Sequence, residues 1–170
     1  KTQQKILQKL ITKKTKAKIQ EAVALHQKNE LTRAKIIYEE ILKMQPRNFD
    51  ALHLLGVLAY QNSDYQRSVN LIKKAIQIYS KNPMFYYNKG LAHQALEQPE
   101  PAIRSFGRAI KLNPDYVDAH YNRGLTLVEL GQISLAALDF RRVTEIKPDY
   151  AEAFSNLGNA QKELHQLYQA

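Results

Sequence analysis

The chain has no cysteine and no tryptophan, and no apolar run in it approaches the length of a membrane span. Without cysteine there are no disulfides and no thiolate chemistry, which fits a reducing compartment. A bilayer-spanning helix needs about 20 consecutive apolar residues, and no secretory signal is visible, so a cytoplasmic location is expected. Glycine and proline number six each. The glycines form no phosphate-cradling loop, and no serine lies in a Gly-x-Ser-x-Gly turn. His26, His53, His93, His120 and His165 include no pair at i, i+4 and no His-Glu-x-x-His, so no metal site is expected. No catalytic residue and no cofactor follow from the sequence, and this stretch of chain is expected not to be an enzyme.

Acidic charge is missing from one region. The formal charge is +9, yet residues 1–18 carry Lys1, Lys5, Lys9, Lys13, Lys14, Lys16 and Lys18 with no acid. The rest of the chain holds 18 basic and 16 acidic residues, so the basicity belongs to this segment. Ile6, Leu7, Leu10 and Ile11 form an apolar stripe opposite the lysines. Residues 1–14 are therefore expected to form a basic amphipathic helix that caps the open end of the helices after it. A second reading places this helix on an anionic membrane or an acidic partner, with membrane contact confined to residues 1–18. Nucleic acid is not expected as a partner, because neither arginine nor aromatic residues accompany the lysines.

What is present is a period. Gly56, Gly90, Gly124 and Gly158 recur at one constant interval. Ala34, Ser68, Ala102, Ala136 and Ala170 repeat that interval at a second phase, and Pro46, Pro114 and Pro148 at a third, with Ser80 as the exception. A fourth phase is large and apolar or aromatic: Tyr38, Ile72, Phe106 and Phe140. His120, Gly124 and Leu127 fall at i, i+4 and i+7, one face of a helix. Gly131 offers a left-handed helix stop, and Ser134 is expected to cap the next helix. Glycine inside a helix costs about 1 kcal/mol against alanine. The expected return is close helix approach, small glycine facing small alanine or serine.

This pattern resembles the tetratricopeptide repeat, whose pair of antiparallel helices recurs about every 34 residues. The resemblance covers residues 15–170 as units 15–48, 49–82, 83–116, 117–150 and a partial 151–170. It implies an all-α, right-handed superhelical solenoid with a concave groove. Unit 1 has Ala22 at the glycine phase, and unit 3 has Pro99 and Pro101 between its helices. The fifth unit ends where its second helix is expected to begin. Its apolar residues Phe154, Leu157, Gly158, Leu164 and Leu167 are expected to self-associate as a weak homodimer.

The resemblance further implies a non-catalytic scaffold that takes a protein partner, as an extended peptide or a helix, in the groove. Groove positions are Asn88, Asn122 and Asn156, with Tyr87, Tyr121, His53, Val57, Leu91, Leu125 and Tyr60. Carboxamides both donate and accept, so a row of them can hold a peptide backbone without reading its side chains. Repeats that precede the catalytic part of O-linked N-acetylglucosamine transferases carry a similar asparagine row, and the segment Asp50–Ala59 is similar to theirs and to that of some repeat-bearing sulfotransferases. A substrate-selecting arm of such an enzyme is thus the alternative reading, although Leu54 and Gln20 depart from the row. The cationic clamp by which chaperone-binding repeats grip a terminal carboxylate is missing: the matching positions hold Ile19, Val23, Leu54, Met84 and Asn88.

Overall fold

The computed structural model describes residues 2–169, with the side chains of residues 10–166 and 169. The expected packing of Ile6 and Leu7, the lysines at positions 1, 5 and 9, and Leu167 and Ala170 lie outside the described side chains. Among the described residues there are nine α-helices and no strand. They are α1 (Thr2–Gln27), α2 (Leu31–Met44), α3 (Phe49–Gln61), α4 (Tyr65–Ile78), α5 (Pro83–Ala95), α6 (Pro99–Leu112), α7 (Val117–Glu129), α8 (Ile133–Ile146) and α9 (Ala151–Gln169). Two compact units result, Lys1–Ser80 and Lys81–Ala170.

Helices α3, α5, α7 and α9 begin at one constant interval, and the turn after the first helix of each pair explains why the period is so strict. Asn29, Ser63, Glu97 and Gly131 all take positive φ, at 62°, 59°, 55° and 68°. In each turn the following N–H closes back on the helix: Glu30 to Leu25, Asp64 to Ala59, Gln98 to His93 and Gln132 to Leu127, at 2.8–2.9 Å. This six-to-one bond is the Schellman arrangement, which needs one left-handed residue. Only Gly131 adopts it without a steric cost. Contrary to the expectation for Ser134, α8 starts at Ile133 behind Gln132, which makes no side-chain cap. Side-chain capping falls instead on Asn48, Asp64 and Asn82, which accept from Ala51, Arg67 and Met84. No such turn interrupts α9.

The N-terminal end also differs from a separate helix over 1–14. One element, α1, crosses that boundary unbroken. Leu10 and Ile11 are 58% and 41% exposed, and Thr15, bonded by the Gln45 amide at 2.8 Å, is the first buried residue among the described side chains.

Glycine packing needs a correction. A Cβ on Gly56 would stand 2.7 Å from Cγ1 of Ile72, and one on Gly124 would stand 2.7 Å from the Phe140 ring. On Gly90 it would stand 2.6 Å from Cδ1 of Phe106. The glycine therefore makes room for the large side chain one turn beyond the small one, rather than for the alanine. Phe106 and Phe140 are fully buried as a result, as are Ala102 and Ala136. At Gly158 nothing lies within 4 Å, because no helix stands where α4, α6 and α8 stand in their pairs.

Unit 2 places Ser68 rather than alanine at the small-residue phase, and its Oγ is buried with no partner among the described residues. The other complete pairs place alanine there. Ser68→Ala should thus stabilise the protein by about 1 kcal/mol, the cost of an unsatisfied buried hydroxyl being about 1–3 kcal/mol. Urea unfolding checks this, and an unchanged or lower midpoint would contradict it.

Candidate functional site

In the unit Lys81–Ala170, the first helices α5, α7 and α9 carry the expected groove residues. Tyr87, Asn88, Leu91, Tyr121, Asn122, Leu125 and Asn156 are all half-buried there. Their spacing puts each trio on one helix face, and side-chain bonds tie the faces together. Asn122 Nδ2 donates to Tyr87 Oη at 3.4 Å, and Asn156 Nδ2 donates to Tyr121 Oη at 3.2 Å. The same bond thus occurs twice, one repeat apart. Gln94 Nε2 donates to Thr126 Oγ1 at 2.8 Å, and that hydroxyl donates to the Asn122 carbonyl at 2.8 Å.

These bonds change what the asparagine row can offer. Asn122 Nδ2 also donates to Asp118 O at 2.8 Å, so both of its N–H groups are used within the protein. Its Oδ1 remains as an acceptor. Asn156 keeps one N–H as well as Oδ1. Asn122 therefore presents a fixed carbonyl oxygen rather than a two-way amide.

The tyrosines are braced from behind. Tyr87 lies 5.1 Å from Tyr116 and 5.9 Å from Phe106, and Tyr121 lies 4.9 Å from Tyr150 and 6.0 Å from Phe140, centroid to centroid. Tyr116 and Tyr150 are absent from the expected site residues, although they too stand one repeat apart in the sequence. Burial, reinforced by the Asp118 carboxylate, pushes the Tyr116 hydroxyl up to about 12. Beside this platform, Leu125, Val128, Ile133, Asn156, Asn159 and Ala160 surround a recess of about 320 Å³.

The unit Lys1–Ser80 has less to offer. His53, expected in the groove, is only 5% exposed, and burial lowers its pKa to about 4. Tyr60 turns toward Tyr65, 5.3 Å away, and Val57 is half-buried.

One constellation has no motif in the sequence. Asp139, 3% exposed, receives two hydrogen bonds at 2.7 Å from Arg123, through Nε and Nη2. His120 Nδ1 lies 2.7 Å from the same carboxylate, and its Nε2 lies 3.0 Å from the Pro114 carbonyl oxygen. The available signal is an acid between Ala136, Ala137, Phe140 and Val143 on the packing side of α8. His120, on the packing face with Gly124 and Leu127, has its partner there. Among the described residues no group of three metal-binding side chains occurs, and no helix is long and apolar enough to cross a membrane.

Comparison with known proteins agrees with this geometry. Residues 87–151 match the family model for the tetratricopeptide repeat, and residues 27–109 match that for anaphase-promoting complex, cyclosome, subunit 3. The small glutamine-rich tetratricopeptide repeat-containing protein 2 of Saccharomyces cerevisiae is 31% identical over 65 residues. That match takes in 38% of this chain and 19% of the yeast protein, so about a fifth of the relative's length is spanned. Among solved structures, MamA superposes with a TM-score of 0.80 at 26% identity, covering 87% of this chain and 81% of MamA. YrrB, described as a tetratricopeptide-repeat protein with an unusual peptide-binding site, superposes with a TM-score of 0.77 at 28% identity, covering 87% of this chain and 76% of YrrB.

Proposed function

From an all-α helical repeat solenoid built of tetratricopeptide repeats, we propose that the chain is a non-catalytic protein-interaction scaffold. Its groove in residues 81–170 takes an extended peptide. The observation that carries this reading is the repeated Tyr–Asn bond. It fixes Asn122 and Asn156 so that each Oδ1 can accept a peptide N–H, one per repeat. Apolar peptide side chains then rest on Leu91, Leu125, Tyr87 and Tyr121. The peptide-binding site named for YrrB supports the reading by likeness. The substrate-selecting arm of a glycosyltransferase or sulfotransferase would use the same row, and Asn88, Asn122 and Asn156 are what favours it.

Peptides selected on the protein from a random phage library provide the ligand for a test. Replacing Asn88, Asn122 and Asn156 together with alanine removes hydrogen bonds of about 0.5–1.5 kcal/mol each. Affinity by calorimetry should fall by roughly tenfold or more with helicity kept. Full affinity in the triple variant would remove the row from the account.

The proposed self-association narrows to part of the expected face. Leu157 and Leu164 pack on Ile133, Ala137 and Ala160, whereas Phe154 is 50% exposed and Gly158 faces open space. A second copy paired around a two-fold axis would cover Phe154. Sedimentation should show a weak concentration-dependent dimer that Phe154→Glu abolishes. A monomer at every accessible concentration would contradict it.

A further inference from the structure

Residues 81–114 and 115–148 are successive copies of one helical hairpin, so each serves as a control for the other. On the second copy, Asp139, Asp115 and Glu145 are each paired with a cation. Arg123 and His120 hold Asp139, and Arg142 donates to Asp115 at 2.6 Å and to Glu145 at 3.0 Å. One repeat earlier the cations persist and the acids do not. Lys89 stands for Arg123 and Arg108 for Arg142, but Ser105 replaces Asp139, Lys81 replaces Asp115 and Lys111 replaces Glu145. Three carboxylates have become one hydroxyl and two ammonium groups.

A cleft of about 440 Å³ opens at this place between α5 and α6, with Tyr86, Lys89, His93, Arg104, Ser105 and Arg108 around it. Arg108 is poised there, its guanidinium 5.8 Å from the centre of the buried Tyr86 ring. Arg104 and Arg108 are exposed, and neither forms an ion pair among the described residues. His93 senses the surplus: burial lowers its pKa, the Lys89 and Arg104 cations add to that, and the bond to Gln98 at 2.8 Å opposes them. At 100° per residue, Lys89 and His93 point roughly 200° away from Tyr87 and Leu91 on α5. The cleft is thus separate from the peptide groove.

We propose that this cleft binds an acidic peptide segment of a partner protein, whose Asp or Glu carboxylate takes the position that Asp139 occupies in the next hairpin. The internal copy specifies the ligand chemistry. It shows a carboxylate gripped from one side by a cation at the Lys89 position and buried at the Ser105 position. Arginine adds planar two-pronged recognition of such a group. A nucleic acid would need exposed rings for stacking, whereas Tyr86 is buried. A membrane surface would need exposed apolar residues beside the cations, and the cleft rim offers arginine and lysine instead.

The test is a titration of the full 15N-labelled chain with hexaglutamate, followed through the backbone amides of residues 86–108. Reading those signals separates the cleft from the lysines of residues 1–18. Saturable shifts are expected in α5 and α6. In Arg104→Gln/Arg108→Gln, at exposed positions, the affinity from those signals should fall at least tenfold. Ser105→Asp, which supplies the missing carboxylate, should weaken binding as much. The equal charge change in Arg141→Gln/Lys162→Gln should leave it within twofold. Shifts confined to residues 1–18, or equal loss in both double variants, would overturn the proposal. So would inert hexaglutamate alongside phosphatidylserine vesicles that bind through Arg104 and Arg108.

Discussion

Replacing Gly90 with alanine should destabilise the protein, and the same replacement at Gly158 should stabilise it. Both glycines lie inside helices, where alanine is better by about 1 kcal/mol when nothing else changes. At Gly158 nothing else does change, since no atom lies within 4 Å of the added Cβ. The expected gain there is the full propensity difference. At Gly90 the new methyl meets the Phe106 ring at 2.6 Å and 2.9 Å, at Cδ1 and Cζ. Phe106 is fully buried and cannot swing aside into solvent. Overpacking of this kind costs about 1–3 kcal/mol, occasionally more, and here it outweighs the propensity gain. The two melting temperatures should move in opposite directions. Movement in the same direction would mean that α5 and α6 do not approach through Gly90.

Asp139→Ala should be more damaging still. It leaves His120 beside a vacated partner and strips Arg123 of two bonds, and breaking a buried pair typically costs about 3–5 kcal/mol. Arg123 retains 27% side-chain exposure and can recover some hydration, which places the loss toward the lower end. The carboxyl also carries a pH signature. Burial pushes its pKa up, but hydrogen bonds from His120 and Arg123, with their charges, outweigh burial and hold it below the ordinary carboxylate value. The folded state therefore binds its proton less readily than the unfolded state. The contribution is complete above the unfolded aspartate value of about 4 and is lost as pH falls through the lower folded value. In urea unfolding, wild type and Asp139→Asn should differ most near neutral pH and converge in acid. A difference that stays constant from pH 7 down to pH 2 would contradict the role given to the ionised carboxylate.

Much of this molecule is legible in its sequence, because a repeat shows each feature several times. The glycine, alanine and proline phases announce the helix pairs and their period, and α3, α5, α7 and α9 start where units 2 to 5 do. The packing partner of the glycines is harder to see. Periodicity shows which residues share a face but not which of two neighbours on the opposing helix fills the gap. Phe106 and Phe140 fill it, one turn past the alanines. Turn chemistry is legible only at Gly131; Asn29, Ser63 and Glu97 adopt the same left-handed turn because the fold around them imposes it. The groove residues follow from phase, yet the tyrosine hydroxyls that engage Asn122 and Asn156 come from the preceding repeat, on another helix. His53 shares the phase of Tyr87 and Tyr121 and still ends up buried, so phase alone does not establish exposure. Asp139, Arg123 and His120 come from two helices, and no local motif joins them.

The most direct test of the peptide-scaffold account is the response of the side-chain amide signals of Asn122 and Asn156 to a library-selected peptide. If the groove holds the peptide backbone, both signals shift and saturate together with the backbone amides of α7 and α9. The exposed Gln161 amide should stay in place. Saturated binding that leaves the Asn122 and Asn156 amides unmoved would contradict the account.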